Sequence, residues 1–184
     1  MSGEPAHVVV QREVFTPAGL RHTWYWGLTE PAAPVPAEAA IWSGEQVLDV
    51  PRALKSLRAA YSTTGDLVML LRALSGSTFF ERRGTWGLMQ RWHRFGIRRG
   101  ASATTLPGWP IAYGFGLMRF QKPRVLTPLQ RMPALVGHSG STGSWVFHCP
   151  ERNLYLAGTV SEVNSADVPF QVLPRLLQLI PERD

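Results

Sequence analysis

The stretch SWVFHCPERNLYLAGTV, residues 144–160, limits what this chain can fold into more than any other. Trp145 and Phe147 alternate with Val146 and His148, and beyond a turn signal at Pro150-Glu151-Arg152-Asn153, Leu154 and Leu156 alternate with Tyr155 and Ala157. A period of two sends successive side chains to opposite faces of a strand, so the pattern predicts an antiparallel hairpin with one buried face. ALVGHSG (residues 134–140) and IAYGFGLMRF (residues 111–120) each read as one further strand. Leu173, Leu176, Leu177 and Ile180 recur at helical spacing and predict a closing helix whose apolar stripe lies across that sheet. Pro174 interrupts this helix, where proline is tolerated only near a first turn or at a kink.

The first part of the chain reads differently. HVVVQREVF (residues 7–15) looks like the end of a helix, broken by Thr16-Pro17-Ala18-Gly19. LTEPAAPVPAEAA (residues 28–40) carries prolines among alanines and reads as an exposed, extended loop. YSTTGDLVMLLRALSG (residues 61–76) is the clearest helix: Thr63 or Thr64 caps it, Asp66 complements the dipole of its first turn, and Gly76 closes it. The expected architecture is α+β and a single domain over 1–184. Residues 1–105 form a helical, loop-rich part, and residues 106–184 an antiparallel sheet with the C-terminal helix packed on it.

With 184 residues and 45% apolar content, the chain can bury one core of its own. Its one cysteine, Cys149, excludes an internal disulfide framework and a thiolate metal cage. His22, His93 and His148 have no acidic or cysteine partner at ligand spacing, so no metal and no cofactor is expected. The opening MSGEPAHVVVQREV is neither a signal peptide nor a membrane span, which makes a cytoplasmic location the default expectation and a membrane partner unexpected. A targeting segment placed upstream of Met1 would leave the same picture. The net charge of +6 is nearly all arginine, since Lys55 and Lys122 are the only lysines.

Arg82, Arg83, Arg91, Arg94, Arg98 and Arg99 alternate with Trp86, Trp92 and Phe95. Guanidinium groups among aromatic rings suit a single-stranded nucleic acid, but no RNA-binding aromatic signature accompanies them. The preferred reading is a short amphipathic helix with Leu88, Met89 and Trp92 facing a core and the arginines in water, and nucleic acid is not the expected partner.

Gly137-His138-Ser139-Gly140-Ser141 carries the chemistry. One comparison is with the G-x-S-x-G nucleophile elbow of α/β-hydrolases, a strand turning sharply into a helix. Residues 141–150, STGSWVFHCP, hold a glycine, strand-like alternation and a proline, so no helix starts after Ser139. A second resemblance spans Val14 to Ile180. VFTPAGLRHTWYW, AAYSTTGDLVMLLRAL, AYGFGLMRF, GHSGSTG, CPERNLYLAGTV and the terminal helix resemble, in order, segments of the C-terminal half of the serine β-lactamase-like superfamily, which includes class C-type β-lactamases, D-alanyl-D-alanine peptidases and related esterases.

That resemblance implies hydrolysis of an ester, amide or β-lactam-like small molecule through an acyl-serine. In the family, GHSGSTG is the histidine version of the Lys-Thr-Gly strand that forms one wall of the site. His138, Ser139, Gly140 and Ser141 are then the implied substrate-binding residues: His138 and Ser139 face the substrate, Gly140 leaves room for the acyl group, and the Ser141 backbone N–H is an oxyanion donor. The departures are specific. The family's Ser-x-x-Lys is absent, because Arg52 and Arg119 stand three residues before Lys55 and Lys122. Tyr-x-Asn is absent too, with Gly27, Thr63, Phe115 and Ala157 two residues after the four tyrosines. The chain is therefore expected to be inactive alone, a truncated or split enzyme or a non-catalytic binding remnant, and to self-associate where the other half would pack.

Overall fold

The computed structural model describes residues 3–49, 60–76, 79–94, 110–122, 131–163, 165 and 167–181. Helix α1 (Ala6–Val10) runs into a π-helical turn over Gln11–Phe15, and Gly19, at φ +71°, lets the chain turn away. Strands β1 (Trp24–Tyr25), β2 (Ile41–Ser43), β3 (Gln46–Leu48) and β4 (Ala60–Tyr61) make two small antiparallel pairs, β1 with β4 and β2 with β3. Helix α2 (Thr64–Ser75) comes next. Thr63 is its N-cap, accepting from the Asp66 N–H at 3.2 Å, and Gly76 ends it. A short helix, α3 (Thr85–Met89), leads into the main sheet.

That sheet is wholly antiparallel, built from β5 (His93–Arg94), β6 (Ile111–Tyr113), β7 (Met118–Phe120), β8 (Leu135–Ser139), β9 (Ser144–Cys149) and β10 (Leu154–Thr159). Its order is β10-β9-β8-β7-β6-β5, and helix α4 (Val168–Leu179) closes the chain with Pro174 inside it. The β9–β10 turn is a 3₁₀ turn over Pro150–Arg152, with Asn153 in the left-handed region at φ +46°. From that turn, Arg152 donates to the Leu177 and Ile180 carbonyls at the end of α4, satisfying acceptors that the helix cannot pair itself.

Alternation decides which residues meet. Met118, Phe120, Leu135, Trp145, Phe147 and Cys149 turn to one face, where Phe170, Leu173 and Leu177 of α4 complete the core. The Phe170 ring lies 5.0 Å from Phe120 and 6.2 Å from Phe147. The opposite face at β9 and β10 is covered by α2. His148 stacks on Tyr155 at 4.1 Å with the rings 5° from parallel, the Tyr155 hydroxyl pairs with Ser75 Oγ at 2.8 Å, and the Arg72 guanidinium lies 5.1 Å from the Tyr155 ring centroid. The α+β class, the antiparallel sheet and the packed C-terminal helix agree with the sequence reading.

Two local expectations change. IAYGFGLMRF is two strands rather than one, because Gly116, at φ +69°, reverses the chain between β6 and β7. Leu88 does not face a core: it is 49% exposed, and only Met89 and Trp92 of that trio are half-buried. The helix ends at Met89, so Trp92 lies beyond it, and the adjacent Leu88 and Met89 point about 100° apart around the axis. Phe95, Arg98 and Arg99 of the arginine-rich stretch, and Lys55, lie outside the described residues.

Candidate active-site wall

The wall is the end of β8 and the turn into β9. Gly137 is buried and pairs with Phe147, and a β-carbon there would collide with the Val146 carbonyl oxygen, so only glycine lets the two strands close at this point. The turn closes through the Gly143 N–H to the Gly140 carbonyl at 3.1 Å and the Gly140 N–H to the Ser144 carbonyl at 2.7 Å. Gly143 sits at φ +79° beneath Val160, where a side chain would be both strained and obstructed. Glycines on either side of the His138–Ser141 segment thus hold it at the rim of the sheet.

His138 is exposed, and its ring meets Tyr113 edge-on with centroids 6.2 Å apart. Its Nδ1 lies 2.8 Å from the Ser139 carbonyl oxygen. A carbonyl only accepts, so Nδ1 carries the proton and, in the neutral ring, Nε2 presents a lone pair outward. Tyr113 is the contributor that motif reading used only as a marker of the strand. Burial pushes its phenol above the ordinary tyrosine value. Its position depends on Gly114, where a β-carbon would collide with the Met89 carbonyl oxygen, the acceptor for the Phe115 N–H at 2.9 Å. The Tyr-Gly-x-Gly sequence therefore docks α3 with its first glycine and turns the chain with its second.

Ser139 behaves differently from His138. Its hydroxyl donates to Met118 Sδ at 3.9 Å, on the face of the sheet that holds Leu135, so Oγ is engaged with a core thioether. Ser141 is exposed, and among the described residues its backbone N–H makes no hydrogen bond, which leaves it available to an external acceptor. Gly140 is exposed as well, with only ordinary contact distance to the Ser144 carbonyl. Beside the turn, the Val160 N–H bonds the Gly143 carbonyl, and the β2–β3 hairpin is tied to the same segment by the Trp42 N–H to the Ser161 carbonyl at 2.8 Å.

Asp66 has a larger role than dipole matching. Its carboxylate is buried and accepts from the His22 N–H at 2.8 Å and from the Thr23 hydroxyl at 2.7 Å, locking the chain before β1 onto the start of α2. Among the described residues, no group of three or more His, Cys, Asp or Glu side chains could hold a metal ion, and no helix is long and apolar enough to cross a membrane.

A family model described as Beta-lactamase matches residues 1–178. No curated protein matches the chain. The match covers nearly the whole sequence and runs through the sheet, the Gly137–Ser141 wall and most of α4, so the chain belongs to the beta-lactamase family.

Proposed function

We propose that this chain provides the substrate-facing wall of an acyl-serine hydrolase site and does not perform the acyl chemistry alone. The observation that carries the reading is that one short segment holds a His138 ring fixed through Nδ1 and a Ser141 N–H with no hydrogen-bond partner among the described residues. A lone pair at Nε2 accepts a hydrogen bond from a substrate or nucleophile hydroxyl, and the protonated ring meets a carboxylate. The Ser141 N–H suits a carbonyl oxygen that gains negative charge during attack. Such a wall accelerates nothing without a nucleophile, and the sequence holds neither Ser-x-x-Lys nor Tyr-x-Asn. The substrate class this supports is a small ester, amide or β-lactam-like molecule.

The test is an NMR titration of the folded chain with penicillin G and with p-nitrophenyl butyrate, run beside a turnover assay. Saturable shifts centred on His138 and the Ser141 amide are expected, absent in His138→Ala, with no turnover above buffer. Turnover by the chain alone, or shifts that ignore His138→Ala, would overturn it. Ser139→Ala should leave the titration nearly unchanged, because its hydroxyl is engaged with Met118.

A further inference from the structure

None of His138, Ser139, Gly140 and Ser141 lines the open cavity of about 390 Å³ bounded by Trp24, Trp26, Thr29, Glu30, Val35 and Glu38. Its aromatic wall is held in place. Trp24 pairs with Tyr61 across β1 and β4, and the two rings pack with centroids 5.5 Å apart. Glu38 lines the same cavity as Trp24, and the Tyr61 phenol beside Trp24 is pushed up by burial and by the negative charge of Glu38.

The sequence around the cavity has the opposite sign from the molecule. No lysine or arginine occurs between Arg21 and Arg52, while Glu30, Glu38, Glu45 and Asp49 fall there, in a chain of net charge +6. An anionic ligand would meet two carboxylates here, and a neutral apolar one would leave them unused. Indole faces beside carboxylates attract an organic cation twice over, through the ring quadrupole and through charge.

We infer that this cavity binds a small organic cation, an alkylammonium or quaternary ammonium group seated between the Trp24 indole and the Glu30 and Glu38 carboxylates. The site is independent of the His138 wall and of whether that wall serves a hydrolase. Because the cavity is open and both glutamates are exposed, binding is weak, with a dissociation constant on the order of millimolar.

The experiment follows tryptophan indole N–H resonances of the full chain during titration with choline and, in parallel, with its uncharged isostere 3,3-dimethylbutan-1-ol. Trp24→Phe identifies the Trp24 signal. Choline should move that signal saturably while the isostere at equal concentration does not. The double change Glu30→Gln with Glu38→Gln should weaken choline by about tenfold with the other indole signals in place. Equal shifts from the isostere, no shift with choline, or unchanged choline affinity in the folded double variant would each overturn the assignment.

Discussion

Asp66 shows how one side chain ties distant parts of the chain together. Replacing its carboxylate with an amide removes the charge from the hydrogen bonds given by the His22 N–H and the Thr23 hydroxyl, and places an NH₂ group in a buried setting built for an acceptor. Asp66→Asn should cost about 2 kcal/mol, seen as a lower denaturant midpoint at unchanged slope. The glycines of the wall divide in the same kind of test. Gly137→Ala drives a β-carbon into the Val146 carbonyl and should cost at least about 3 kcal/mol, whereas Gly140→Ala meets only ordinary contact and should stay within about 0.5 kcal/mol. Sequence reasoning puts Asp66 in a first turn, which is where it lies, but its partners are 43 and 44 residues earlier and no local pattern shows them. Likewise GHSG reads as a motif, while the demand for glycine at 137 comes from the neighbouring strand.

At the scale of elements, helix α2 lies on the second face of the sheet and leaves His148 a half-buried titratable group. Burial lowers its pKa below the ordinary 6.5, and its Nδ1 is buried with no hydrogen-bond partner among the described residues. Its ring stacks on Tyr155 of β10 and it stands opposite Val136 on β8, while Arg72 and Ser75 of α2 contact that same Tyr155. As pH falls, the unfolded ring takes a proton before the folded one does. The stability contributed by the neutral ring is therefore complete above 6.5 and is lost progressively as pH falls from there through the lower folded value. Denaturation midpoints between about pH 8 and pH 5 should fall on the acid side. His148→Phe, which keeps a ring against Tyr155, should flatten the part of that fall due to this residue, and an unchanged profile would contradict the assignment. The β9–β10 hairpin was legible because a two-residue period survives in any context. The split of residues 111–120 into two strands was not, because Gly114, Phe115 and Gly116 interrupt an apolar run without changing its period.

For the molecule as a whole, the sheet, the terminal helix and the family could be read from the order of six short segments, and the Beta-lactamase match over residues 1–178 agrees. The covering of the sheet's second face could not be read, since half-buried Tyr155 and His148 look like solvent-facing positions until α2 is placed over them. The proposed function makes the His138–Ser141 segment a wall without a nucleophile. The most direct test is intact-mass analysis of the folded chain after treatment with a fluorophosphonate and, separately, with a penicillin, with the modified residue located by peptide mapping. No adduct is expected with either reagent, because Ser139 Oγ is directed to Met118 Sδ and no lysine stands three residues after a serine. A stoichiometric adduct on Ser139 would contradict it and make that serine the nucleophile.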